Sequence, residues 1–138
     1  MTREKPNPVV AERLRLSEND EIVVRSRRYL ADGRPIETAV SYIPSVFADG
    51  TKIEQADTGP GGIYARLEEN GHVLAHFTEE VGARMPTPEE RRILEIGPGV
   101  PVLTVLRTAY DTNDVAVEVC DTVKVAPAYL LEYEFSAR

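Results

Sequence analysis

Three observations predict a mostly antiparallel β-sheet that carries a few short helices. Turn signals separate pairs of β-rich runs, at Asp32-Gly33 and again at Asp111–Asp114. Long crossovers, which parallel pairing requires, are few. The helix signals are short and bring their own caps, as in Thr87-Pro88-Glu89-Glu90.

Taken in order, residues 1–8 read as a flexible lead-in and 9–138 as one domain, a length that suits a single hydrophobic core. Val9–Leu16 forms a short amphipathic helix, with Val10, Leu14 and Leu16 towards the core. Glu21–Leu30 is a strand, and Ile36–Ile43 pairs back to it across the Asp32-Gly33 turn and ends at Pro44. The following segment is irregular with a helical turn. Ile63–Asn70 is a helix closed by Gly71, and His72–Met85 is extended. A capping box of Thr87 and Glu90, with Pro88 in the first turn, starts a helix that buries Ile93, Leu94 and Ile96 and stops at Gly97. Val100–Tyr110, Val115–Val125 and Tyr129–Phe135 are three further strands.

The second half repeats the first faintly. A shift of 80 positions places Leu14 on Leu94, Leu16 on Ile96, Arg27 on Arg107 and Thr38 on Glu118. Each copy reads as helix, loop, long strand, turn and returning strand, so a pseudo-symmetric sheet is expected.

Composition excludes several function classes. The net charge is −7, from 16 basic and 23 acidic residues, which argues against this chain gripping nucleic acid by itself. No apolar run approaches the roughly 20 residues of a membrane span. The charged, proline-bearing start lacks the apolar core of a signal peptide, and the default location is cytoplasmic. The single cysteine, Cys120, leaves no cysteine-based metal cluster and reads as a packed or edge thiol. His72 and His76, four apart on an extended segment, lie too far apart for a shared metal, so no metal and no cofactor is expected.

Five features remain for chemistry. The stretch TGPGGIYARLEENG, Thr58–Gly71, sets glycines ahead of a helix start, where the N–H groups of Gly61, Gly62 and Ile63 offer an anion site; without a lysine it is no nucleotide loop. Strand alternation sends Arg28 to one face and Arg25 and Arg27 to the other. Arg107 stands within an apolar strand and needs a fixed partner, either a carboxylate such as Glu118 across the hairpin or an anionic ligand. Glu118 is either a solvated carboxylate, sharing a face with Ala116 opposite Val117 and Val119, or an acceptor in a pocket. Tyr64 either packs or offers its phenol to a ligand.

The ordered segments LRLSENDEIVVRSRRYLADGRPIETAVSYIP, TGPGGIYARLEE, TEEVGARMPTPEERRILEI, GVPVLTVLRTAYD and VAVEVCDTV followed by YLLEYEF resemble the UTRA domain. That domain is the effector-binding half of GntR-type, HutC-subfamily bacterial transcription regulators. The resemblance runs from about Leu14 onward. It implies an α+β fold like that of chorismate lyase, a homodimer, and a small-molecule pocket between sheet and helices. Family members that bind phosphorylated sugars use positions that map to Arg28, Thr38, Gly62 with Tyr64, and Glu118, with Lys124 just beyond. Two departures stand out: Ser26 where a second arginine is common, and Gly62 where a hydroxyl residue is frequent.

The resemblance therefore implies a ligand sensor without catalytic residues. The candidate ligand-binding set is Arg28, Thr38, Gly61, Gly62, Ile63, Tyr64, Arg107, Glu118 and Lys124, and the partner is a small-molecule effector with an anionic group in view. DNA would be reached only through a winged helix-turn-helix, which no segment before Val9 resembles; an excised effector domain and a stand-alone sensor both fit. The alternatives are a chorismate-lyase-like enzyme and a dimerisation partner that titrates full-length regulators.

Overall fold

The computed structural model describes all 138 residues. In chain order the elements are β1 (Thr2–Glu4), α1 (Pro8–Leu14), β2 (Ile22–Ala31), β3 (Arg34–Pro44), α2 (Ser45–Ala48), α3 (Gly62–Glu69), β4 (Leu74–Arg84), α4 (Pro88–Leu94), β5 (Val102–Asp111) and β6 (Ala116–Val125). Short 3-10 turns occupy Lys52–Glu54 and Ala126–Ala128. The strands form one six-stranded sheet in the order β1-β2-β3-β6-β5-β4, and every pairing is antiparallel. This is an α+β fold, as the sequence predicts.

The repeat is structural. The pairs Thr2↔Val24, Arg3↔Val23 and Glu4↔Ile22 recur as Gly82↔Thr104, Ala83↔Leu103 and Arg84↔Val102, each moved by 80. Helix α1 recurs as α4 at the same offset, with Asn7 and Thr87 as side-chain N-caps. Both helices end on a left-handed residue, Arg15 at φ 56° and Glu95 at φ 54°. The expected stop at Gly97 therefore comes two residues earlier, because Glu95 itself turns the chain. The second hairpin loop holds one residue more (Thr112–Asp114 against Asp32–Gly33), so the returning strands correspond at an offset of 81. This slip puts Glu37, not Thr38, in the place of Glu118, and Ala39 in that of Cys120. It also makes Val40↔Asp121 the symmetry centre of the β3–β6 seam, because these paired residues are themselves related by that offset.

Residues 1–8 are less loose than expected, because Thr2–Glu4 adds an edge strand to β2 and Arg3 bridges Glu21, Asp49 and Glu54. The segment Tyr129–Phe135, expected as a strand, is not one. Its predecessor β6 is paired on both sides, so a chain leaving it through a three-residue turn meets no free sheet edge. It runs across the sheet face instead.

Alternation sorts the core into two sides. On one, α1 packs Val10 and Leu14 against Ile22, Ala116 and Val119, and α4 packs Leu94 against Val102 and Val125. On the other, α2, the Lys52–Glu54 turn and α3 cover Val23, Ile43, Ala109 and Val117 with Ala48, Ile53, Ile63 and Leu67. This second layer covers only half of its face. Beyond it the sheet carries polar side chains under residues 129–133.

Leu67 has no exposed surface and ties α3 to the sheet. Leu67→Ala should cost about 2–5 kcal/mol in urea unfolding, and Thr87→Ala, which loses a cap on an exposed helix, about 1 kcal/mol. The reverse order would contradict the described packing of α3.

Candidate functional site

A cleft of about 450 Å3 lies on the half-covered face, between the sheet and residues 130–133. Its floor comes from four strands: Glu37 of β3, Cys120, Thr122 and Lys124 of β6, Val105 and Arg107 of β5, and Glu79 of β4. Antiparallel register brings them together, through the pairs Glu37↔Lys124, Arg107↔Cys120, Val105↔Thr122 and Glu79↔Arg107. Tyr64 of α3 closes one end, and Leu130–Tyr133 form the outer wall.

The charged groups on the floor are already paired. Arg107 donates to Glu79 Oε2 from Nε (2.8 Å) and Nη2 (2.7 Å), and its guanidinium lies 4.9 Å from the Phe77 ring. Lys124 Nζ donates to Glu37 Oε1 at 2.5 Å, and the Tyr129 hydroxyl donates to the same oxygen at 2.8 Å. Burial pushes the Glu79 carboxyl up, but hydrogen bonds from Arg107 and Tyr133 outweigh it and hold the carboxyl below its usual range. The bond to Glu79 in turn raises the Tyr133 phenol. Tyr129 thus latches the terminal segment to Glu37, and Tyr133 stands beside Glu79.

Behind Tyr64 lies Glu118, 3% exposed, whose Oε1 has no hydrogen-bond partner. Burial raises its carboxyl well above the usual range, against the opposing pull of Ser41, Tyr64, Arg27 and Arg107. Burial and the neighbouring Glu118 also raise the Tyr64 phenol. Arg27 reaches Ser41 Oγ and Cys120 Sγ (3.8 Å), and its Nε is buried without a partner.

Of the residues singled out in the sequence, Tyr64, Arg107 and Lys124 line the cleft and Glu118 adjoins it. Glu118 is buried rather than solvated because a bulge skips Val117: Ala109 pairs with Glu118 and Tyr110 with Ala116, so Val117 and Glu118 turn to one side. The partner of Arg107 is Glu79, since Glu118 stands opposite Ala109. Arg28 and Thr38 pair with each other on the opposite face, where Arg28 donates to the Ile93 carbonyl of α4 at 3.2 Å. They do not reach the cleft; Arg27 shares its face instead.

Gly61, Gly62 and Ile63 sit at the start of α3 but do not line the cleft. They form a tight turn: Gly62 N–H donates to the Gly59 carbonyl at 3.1 Å, and Arg66 holds the carbonyls of Thr58 and Pro60 at 3.0 and 3.1 Å. Gly61 has φ 83°, and a Cβ there would lie 2.7 Å from the Ala65 Cβ. The Ile63 side chain belongs to the core.

Glu37, Glu79, Thr122, Tyr129 and Tyr133 escape the sequence reading. Alternation outward from Arg27 through Ser41 and Cys120 would have found Thr122, and the one-residue slip in the repeat would have found Glu37. The histidines take other partners, His72 with Asp111 at 3.0 Å and His76 stacked on Tyr110.

The cleft is polar and is walled by one sheet face and one terminal segment. The family model of the UTRA domain matches residues 1–129, and the chain belongs to that family. An uncharacterised HTH-type transcriptional regulator of Streptomyces coelicolor is 30% identical over 138 residues, 98% of this chain and 51% of the regulator. The chain thus spans about half the length of that curated relative. A GntR-family transcriptional regulator of Enterococcus faecalis V583 superimposes with a TM-score of 0.85 at 26% identity, over 97% of this chain and 95% of that one. The effector domain of PhnF from Mycobacterium smegmatis gives 0.85 at 18% identity, over 99% and 83%, a likeness of fold.

The raised pKa of Glu118 has a measurable consequence. An acid whose folded value exceeds its unfolded value, here 4.5, loses stability as pH rises from 4.5 through the folded value. Glu118→Gln lacks that loss. Its melting temperature relative to the unsubstituted protein should therefore climb between pH 4.5 and neutrality; a difference independent of pH would contradict the buried carboxyl.

Proposed function

We propose that the cleft binds a small-molecule effector and that the chain is the sensing and dimerisation domain of a cytoplasmic GntR-type regulator of the HutC subfamily. One observation carries the reading: on a UTRA domain, a cleft floored by polar side chains adjoins a buried carboxyl with an unpartnered oxygen. A buried polar atom without a partner costs stability, and a donor on a ligand removes that cost.

The mechanism follows from linkage. A homodimer samples two arrangements, and an effector favours one only to the extent that it binds it more tightly. The cleft couples to the terminal segment through Tyr129 and Tyr133, whose partners Glu37 and Glu79 are floor groups. A ligand on the floor therefore competes with the tail. A winged-helix domain, on the same polypeptide or a partner, converts the change into altered half-site spacing on DNA. No step involves making or breaking a covalent bond in the effector.

A thermal-shift screen of sugars, amino acids, organic acids and apolar metabolites tests this. A true effector at about 100 times its dissociation constant adds about 2.7 kcal/mol of stability. Arg107→Ala and Glu118→Ala should abolish that gain, and a hit that survives both unchanged places the ligand elsewhere. Sedimentation should show a dimer; a strict monomer, or turnover of chorismate, would count against the regulator.

A further inference from the structure

The charges in the cleft specify the class of effector it takes. Five charged side chains line it, the carboxylates of Glu37, Glu79 and Glu132 and the cations of Arg107 and Lys124. Both cations are already bound, Arg107 by Glu79 at 2.7 Å and Lys124 by Glu37 at 2.5 Å. The other arginines near this face do not line the cleft. Arg25 holds the carbonyls of Ile53, Gln55 and Ala56, Arg66 holds those of Thr58 and Pro60, and Arg27 lies under the seam against Ser41 and Cys120.

An incoming phosphate or carboxylate would therefore find no unpaired cation among the side chains that line the cleft. To reach Arg107 or Lys124 it must displace a resident carboxylate and leave it charged on a partly buried floor beside the newcomer. Like charges held close in a poorly solvated site repel strongly and reject a partner. An uncharged molecule meets no such barrier. Hydroxyl or amide N–H groups can donate to Glu37 and Glu79, and its carbonyl or hydroxyl oxygens can accept from Lys124 and the tail tyrosines. Val105, Leu130 and Leu131 supply an apolar flank for its carbon skeleton.

We infer that the cleft takes an uncharged effector rich in hydroxyl or amide groups, and that Glu37 and Glu79 exclude anions by occupying Lys124 and Arg107 in advance. The inference rests on the effector reading of the cleft, and it replaces the anionic partner that the sequence brings to view.

The experiment needs no knowledge of the natural ligand. The melting temperature is followed against inorganic phosphate and glucose 6-phosphate, with chloride holding the ionic strength constant. The comparison is between the unsubstituted protein, Glu79→Gln, and Glu37→Gln/Glu79→Gln. Glu79→Gln alone serves if the double variant does not fold, because Glu79 sits on the sheet's edge strand. The unsubstituted protein should show no saturable stabilisation. The variants should gain one, with affinity at least about tenfold tighter, and a further Arg107→Ala should remove it. Saturable phosphate binding by the unsubstituted protein that Arg107→Ala abolishes would overturn the inference, as would folded variants that gain nothing. Phosphate bound at this cleft would leave the effector reading standing, whereas a broad screen without a ligand of any class would sink that reading itself.

Discussion

The structure depends on the antiparallel seam between β3 and β6. Six paired positions, Glu37–Tyr42 against Val119–Lys124, join two three-stranded halves, one carrying α1, α2 and α3 and the other α4. Such a fragment has little apolar surface to bury and marginal independent stability. The seam closes the core, since Ile43 and Val117 on one side and Ile22 and Val119 on the other come from different halves. It also composes the floor of the cleft, because Glu37 faces Lys124 and Ser41 faces Cys120 only in this register. A slip by one residue would turn those groups to the opposite face.

The two halves are built alike and finished differently. After β3 the chain makes α2, a 3-10 turn and α3, which fill one half of the face with Ala48, Ile53, Ile63 and Leu67. The corresponding point after β6, Ala126 at the offset of 81, begins only a 3-10 turn and an extended segment. Ten residues without a helix cannot bury the face beneath them, so polar side chains remain there, paired among themselves and latched to Tyr129. The cleft is the place where the internal symmetry breaks.

Much of the fold was legible because local signals agreed with the tertiary outcome. Thr87, Pro88 and Glu90 form the capping box that their spacing predicts, and Asp32-Gly33 makes the tight turn of the first hairpin. The errors came where long-range context decides. Tyr129–Phe135 has the composition of a strand but no free edge to join, which only the strand order reveals. Arg28 and Arg27 are adjacent in sequence and on opposite sides of the sheet, so the choice between them waits on which face carries α3. The bulge at Val117 hides Glu118 from simple alternation, and one extra residue in the second hairpin hides the match of Glu37 with Glu118. The ion pair of Arg107 with Glu79 joins β5 to β4 across 28 residues of chain, a contact that no local pattern encodes.

Native-state hydrogen–deuterium exchange tests the central claim, that the seam holds both halves and the cleft floor as one cooperative unit. Amides of residues 37–42 and 119–124 should exchange only through global unfolding, together with the inner strands β2 and β5 and after β1 and residues 129–138. Seam amides that exchange before those of the two hairpins would show the halves opening as independent units, and would contradict the account.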